Sequence, residues 1–200
     1  ELESRDLQSR FTEEDLELLG STASLVALSV ENAALHEQTL LKRDLERELE
    51  FATQVQLGFL PTERPQISNF EFVDYYEPAH SVGGDIFDYI PLNDGRWAIV
   101  VGDVAGKGVP ASLIMSRLST VVRSVTEFLD DAGQAIEKIN AHMCARAVEG
   151  RFVTFVLIII DPNKHTMSFV NAGHMSPIIR KPDGSLEEFP DDICGVPLGV

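Results

Sequence analysis

The sequence is poor in sulfur and in basic charge. Only Cys144 and Cys194 occur among its 200 residues, which excludes a disulfide framework and a zinc cluster built from thiolates alone. Both are expected to be ordinary buried thiols. Lysine and arginine total 16 against 32 acidic residues, a formal net charge of −16. That charge would repel a phosphate backbone, and no basic patch with interleaved aromatics offsets it, so nucleic acid is not an expected partner. An acidic chain that handles phosphate needs an added cation, which directs attention to divalent metals. Long apolar runs are also missing: the longest, such as residues 152–160, are too short to span a bilayer, and the acidic N-terminus lacks the layout of a signal peptide. The chain reads as cytoplasmic, without a membrane partner. What is present, 44% hydrophobic and 24% charged residues, suits one globular core with an appendage.

Between Phe11 and about Leu60 proline is absent, and glycine occurs only at Gly20 and Gly58. Thr12 followed by Glu13, Glu14 and Asp15 is a helix start, with an N-cap hydroxyl and acids at the positive dipole end. Leu16, Leu19, Ala23, Val26, Val30 and Ala33 recur at spacings of three and four, and Leu41, Leu45, Leu49, Ala52 and Phe59 continue with a shifted phase. The spacing predicts a long coiled-coil-like helix over residues 1–60. Two readings stay open: packing on its own domain, or pairing with a second copy through residues 12–60, the latter favoured because no partner helix is visible before the domain.

Pro61 and Pro65 cannot continue a helix and mark a boundary, so a second domain is assigned to residues 61–200. There the period changes to two. Strands are predicted over residues 70–76, 85–90 and 96–103, the last two joined by the turn Asn93-Asp94-Gly95. Gly108-Val109-Pro110 opens a helix whose buried face is Ala111, Ile114, Leu118, Val121, Val125 and Leu129, and a second helix covers residues 132–147. Strands follow over residues 152–160, 166–170 and 176–180 and near Leu186, with turns at Asp161-Pro162-Asn163 and Pro182-Asp183-Gly184. Strands, then two helices, then strands predict an α+β fold with helices covering antiparallel sheets.

Two stretches could carry chemistry. Gly83-Gly84-Asp85-Ile86-Phe87-Asp88 sets a glycine pair before an acid at a strand entrance, where backbone must bend or a ligand must approach. Asp103-Val104-Ala105-Gly106-Lys107-Gly108 sets an acid at the end of an apolar strand, ahead of a glycine-rich loop and a helix N-terminus. Asp85 lies eight residues before Asn93 and Asp103 eight after Gly95, so a hairpin brings both acids to the same end of the ladder. Alternation puts Asp85 with Phe87 and Tyr89 on one face and Asp88 on the other. Two converging carboxylates beside a glycine loop suit a hard cation such as Mg²⁺ or Mn²⁺. The plainer alternative, acids that cap turns and the helix, remains open on these residues alone.

These motifs, followed by Asn171-Ala172-Gly173-His174 and Gly195-Val196-Pro197-Leu198-Gly199, resemble the ordered signature of the SpoIIE/RsbU branch of the metal-dependent type 2C (PPM) protein serine/threonine phosphatases, over about 130 residues. The resemblance implies an antiparallel β-sandwich flanked by helices, with two Mg²⁺ or Mn²⁺ ions at one end of the sheets. It implies that Asp103 bridges both ions, that the Val104 carbonyl is a ligand, and that Asp85 stands in the metal shell, largely through water. The implied reaction is hydrolysis of a phosphorylated protein substrate without a covalent enzyme intermediate, and the substrate class is a STAS-type antagonist of an anti-sigma factor. Residues 11–38 resemble the last helix of a GAF sensory domain running into a linker helix.

Ala105 stands where eukaryotic relatives carry a histidine, which excludes a histidine general acid there. The family pattern also continues to an Asp-Gly and a later acidic pair, further metal ligands expected beyond Val200, so the domain is expected to be C-terminally incomplete. A non-catalytic signalling and dimerisation module is therefore the alternative function. Gly102 to Lys107 lacks P-loop spacing, and Cys144 precedes Arg151 by one residue too many for a cysteine-phosphatase loop. His174 either faces the site or stabilises its turn. Gly106 and Lys107 stand where a substrate phosphate could approach a helix N-terminus, and Thr154 is expected to line the core.

Overall fold

The computed structural model describes residues 11–128, 131–148, 150–189 and 193–200; Leu129, expected on a buried helix face, lies outside them. The chain divides into two units, Glu1–Glu48 and Leu49–Val200.

Helix α1 spans Glu13–Leu57. The Thr12 hydroxyl accepts the Asp15 N–H at 3.3 Å, and the Asp15 carboxylate accepts the Thr12 N–H at 2.8 Å. This reciprocal box satisfies two of the amides that a helix start leaves unpaired. Every described residue up to Glu48 is exposed, including Leu16, Leu19, Val26, Leu41 and Leu45. α1 also contains an 18-residue stretch of mean hydropathy 1.3, long and apolar enough to cross a membrane by length and composition. A reading of uninterrupted apolar runs passes over it because hydroxyls interrupt the stretch. Thr22, Ser24 and Ser29 turn those hydroxyls onto the carbonyls of Leu18, Gly20 and Leu25 at 2.7–2.8 Å, the back-bonding that lets such residues sit inside a helix.

In the second unit, β1 (Ile86–Pro91) and β2 (Trp97–Val104) form an antiparallel hairpin. α2 (Val109–Thr126) and α3 (Ala132–Cys144) follow, then β3 (Val153–Asp161), β4 (Thr166–Ala172), β5 (Ile178–Arg180), β6 (Leu186–Glu188) and β7 (Cys194–Gly195). The main sheet has the order β1-β2-β3-β4-β7, antiparallel except for the parallel β4–β7 edge, and β5 and β6 pair apart as a ribbon. α2 lies over β1 and β2, and α3 over β3 and β4.

Both helices cover the same sheet face, and period-two alternation decides which residues enter the core. Ile86, Val100, Val104, Phe155 and Leu157 point to the helices and meet Met115, Leu118, Val122 and Ile139. Burial of each large side chain is worth about 1.5–3 kcal/mol. The α2 stripe is centred on Met115, Leu118 and Val122, with Ile114 and Val121 only partly buried at its edge. β7 is an element that periodicity did not show, because two residues are too few to alternate. The chain after it is held by paired backbone bonds between Leu198 and Val153, at 2.8 and 2.9 Å.

Two expectations need correction. Residues 70–76 form no strand: the segment runs extended across the open face of β1, held by Phe72 against Tyr89 and Tyr76 against Phe87, with ring centroids 5.6 and 6.3 Å apart. Its alternation reflects this aromatic packing, not a ladder. Nor are the cysteines buried. Cys144 is exposed at the last residue of α3 and Cys194 is half-buried on an edge strand.

On the helix-facing side of β1, Asp88 is 1% exposed and accepts from Arg123 Nη2 of α2 at 2.6 Å. Burial pushes its carboxyl up, against the pull of the Arg123 charge. This pair joins the hairpin to α2. Arg123→Ala leaves the carboxylate buried without a counter-ion, with only the Tyr89 N–H at 2.8 Å on its Oδ1, and an expected loss of about 3 kcal/mol at neutral pH is measurable by urea unfolding. Because the folded pKa of Asp88 is raised further in the variant, the native state binds the proton first and stability falls as pH rises. The deficit should therefore shrink as pH drops toward the ordinary carboxylate range.

Candidate metal and active site

Every β1–β2 pair from Ile86↔Gly102 to Pro91↔Trp97 keeps one register. Stepping that register back by one residue sets Asp85 across from Asp103. The Val104 N–H donates to the Gly84 carbonyl at 3.3 Å, so the pairing continues past the two acids. The turn responsible closes with Gly95 N–H on the Leu92 carbonyl and Leu92 N–H on the Arg96 carbonyl, with Gly95 at φ +86°. Asp85 and Asp103 both point to the open sheet face, while Asp88 lies on the other.

The two carboxyl groups act on each other. Partial burial pushes the Asp103 carboxyl above the usual carboxylate range, the charge of Asp85 and a hydrogen bond with it push the same way, and His174 pulls it down. Two like charges held this close favour a shared proton or a bound cation.

β3 supplies a third element. Asp103 pairs with Thr154 in the β2–β3 ladder, which puts Thr154 on the open face and not in the core. Its hydroxyl donates to the Asp103 carbonyl at 3.4 Å and lies 2.8 Å from Nδ1 of His174. Thr154 is the residue that sequence reasoning misplaced. Its neighbours from Phe155 to Ile160 are uniformly apolar, and only the register shows which face it takes. His174 sits in a turn braced by Asn171, whose side-chain amide donates to the His174 carbonyl at 2.9 Å and accepts the His174 N–H at 2.8 Å. The turn is thus stabilised by Asn171, which leaves the imidazole free to face the acids.

Asp85, Asp103 and His174 line one open cleft of about 700 Å³ together with Tyr76, Phe87 and Met175. Gly106 and Lys107 do not line it. The guanidinium of Arg151 donates to the Ala105 carbonyl at 2.7 Å and occupies the space a side chain at Gly106 would need, where φ is +108°. Lys107 is exposed on the same loop.

Among the described residues, no group of three or more His, Cys, Asp and Glu side chains is arranged to hold a metal ion. The donor set is two carboxylates, with the Val104 carbonyl next in the chain. That set fits a hard cation that keeps several of its waters, the usual habit of Mg²⁺.

The Stage II sporulation protein E (SpoIIE) family model matches residues 93–200. Phosphoserine phosphatase RsbU of Bacillus subtilis is 27% identical over 139 residues, covering 68% of this chain and 41% of that protein. A crystal structure of the RsbU and RsbW domains of a Mycobacterium tuberculosis protein is 31% identical, with a TM-score of 0.51 over 60% of this chain and 33% of that one. The SiaA-PP2C domain of Pseudomonas aeruginosa, 19% identical, aligns with a TM-score of 0.66 over 79% of this chain and 64% of its own, and shows a shared fold. The chain spans less than half the length of the curated relatives it matches.

Asp103→Asn removes the repulsion between the two acids. In metal-free buffer the variant should melt a few degrees above the parent at pH 7. The gap should close as pH falls below the raised Asp103 value, because the parent then holds its proton in the folded state. Added Mn²⁺ should raise the melting temperature of the parent more than that of the variant. A variant that melts lower than the parent in metal-free buffer would contradict this picture.

Proposed function

The chain belongs to the stage II sporulation protein E (SpoIIE) family, and from that premise we propose that residues 61–200 are the front part of a metal-dependent phosphatase domain that hydrolyses phosphoserine or phosphothreonine on a regulatory partner protein. The observation that carries this reading is Asp85 facing Asp103 across the hairpin, with the Asp103 carboxyl raised by partial burial and, after it, by the charge of Asp85. The name of the Bacillus subtilis relative, a phosphoserine phosphatase, supports the reaction class. We assign the substrate to the STAS-type antagonists of anti-sigma factors, the class the motifs imply.

Asp103, Asp85 and the Val104 carbonyl would hold Mg²⁺ or Mn²⁺, two ions in the complete domain. When bound, such ions supply Lewis acidity toward a phosphoryl oxygen and lower the pKa of a coordinated water. The chain's own residues would orient the substrate. Nδ1 of His174 is engaged by Thr154, which leaves Nε2 to meet a phosphate or leaving oxygen. Gly106 and Lys107, outside the cleft, would meet the rim of a docked phosphoprotein. With 16 basic against 32 acidic residues, neutralisation of the phosphate falls to the cations and not to basic side chains.

Residues 1–60 are read as the end of a GAF-like sensory domain continuing into a coiled-coil linker, which pairs two copies and regulates the phosphatase. The exposed Leu16, Leu19, Val26, Leu41 and Leu45 support pairing. A cytoplasmic location is kept by reading the apolar stretch of α1, which carries Glu31 and Asn32, as the face that pairs two copies and not as a membrane span. A second reading, a signalling and dimerisation module without catalysis, is favoured by one observation, the lack of a cluster of three metal-binding side chains among the described residues.

The full-length protein should release phosphate from a phosphoserine peptide in the presence of Mn²⁺, and Asp103→Ala should lower the rate by at least about 100-fold, the upper end of what loss of even an outer-shell metal partner costs. No metal-dependent release from the parent would select the second reading. In sedimentation, the chain with residues 1–60 should run at twice its monomer mass and the chain without them at its monomer mass. An unchanged mass would end the pairing proposal.

A further inference from the structure

Gln56 is the one buried residue of α1, 4% exposed, in a helix whose other residues are exposed except for the half-buried Leu49, Ala52 and Thr53. Its carboxamide makes two hydrogen bonds to a single residue: Nε2 donates to the Gly83 carbonyl at 2.6 Å, and Oε1 accepts the Gly83 N–H at 2.9 Å. One side chain thus closes both polar groups of Gly83, and its amide orientation is fixed by having to donate to one and accept from the other. One turn earlier, the Thr53 hydroxyl meets the Ser81 carbonyl at 2.5 Å. Gly83 also has no room for a side chain: a Cβ there would stand 2.8 Å from the Tyr76 hydroxyl and 3.0 Å from Pro78 Cβ. The next residue, Gly84, accepts the Val104 N–H at 3.3 Å, and Asp85 follows. The clasped loop therefore borders both Asp85 and Val104, two of the three groups assigned to the metal.

We propose that Gln56 is a positioning residue for the metal site, holding the Gly83-Gly84 loop so that the Asp85 carboxylate and the Val104 carbonyl stand in register with Asp103. The proposal rests on the metal-site reading above and deepens it. It makes the last turn of α1 a direct determinant of cation affinity, through one carboxamide and one peptide. Coupling of this kind is reciprocal: if the clasp favours cation binding, the cation must tighten the clasp.

The test uses the full-length protein. Mn²⁺ binding is followed by calorimetry and by the paramagnetic resonance signal of free Mn²⁺, and backbone exchange by deuterium labelling, in the parent, Gln56→Met, Gln56→Glu, Asp85→Asn and Asp103→Asn. Methionine keeps the size of the side chain and removes both bonds; glutamate keeps the acceptor for Gly83 N–H. Gln56→Met should bind Mn²⁺ about tenfold more weakly, equivalent to about 1.4 kcal/mol, and its Gly83 amide should exchange faster while core amides of α3 do not. Gln56→Glu should fall between it and the parent. In the parent, Mn²⁺ should slow exchange at Gly83, a measurement that holds even where Gln56→Met fails to fold. If Mn²⁺ leaves Gly83 exchange unchanged in the parent, or both Gln56 variants bind Mn²⁺ as the parent does while Asp85→Asn and Asp103→Asn lose it, the positioning role is overturned and the metal site stands. If Asp85→Asn and Asp103→Asn bind Mn²⁺ as tightly as the parent, the metal-site reading itself falls.

Discussion

The register of the β1–β2 hairpin is the constraint on which the rest depends. A strand has a side-chain period of two, so a slip of one residue would send Asp85 toward the helices and Asp88 toward the cleft. The register is held from both ends. At the turn, Gly95 adopts φ +86° and closes the loop on Leu92; at the far end, Val104 N–H continues the pairing onto Gly84. Between them Asp88 ties the helix-facing side to Arg123. That ion pair identifies the correct face, since a slipped strand would turn Asp88 away from Arg123.

From this register the sheet acquires two faces with different work. The side under α2 and α3 is apolar apart from a few polar groups, of which Asp88 is paired with Arg123 through Oδ1 while its Oδ2 has no partner, and it stabilises the unit. The other side carries Asp85, Asp103, Thr154 and His174 beside an aromatic lining. The Asp103 carboxyl, pushed up first by partial burial and then by the nearby charge of Asp85, is a local cost that the core offsets. A cation would remove it. Placing like charges together in the absence of the ion is how a fold prepares an affinity for one, and such perturbed groups gather at functional sites.

Much of this was legible in the sequence, for identifiable reasons. The equal offsets of Asp85 and Asp103 from Asn93-Asp94-Gly95 yield the observed register, and Asp88 falls on the opposite face as alternation requires. Features that need a partner outside the local window were hidden. Thr154 reads as core because its strand is apolar on both faces, and only the pairing with Asp103 turns it outward. Residues 70–76 alternate as a strand does, but they pack by aromatic rings without a ladder. Gln56 sits between Val55 and Leu57, a polar residue with nothing in its spacing to mark it; its role comes from Gly83, which lies 27 residues away in sequence.

The most direct test is a crystal structure of the protein grown with Mn²⁺, with the ion located by its anomalous scattering. The account predicts a manganese peak in coordination contact with the carboxylate of Asp103, with Asp85 reaching the same ion directly or through one water. Manganese bound elsewhere, or a cleft between Asp85 and Asp103 that holds none at saturating concentration, would contradict it.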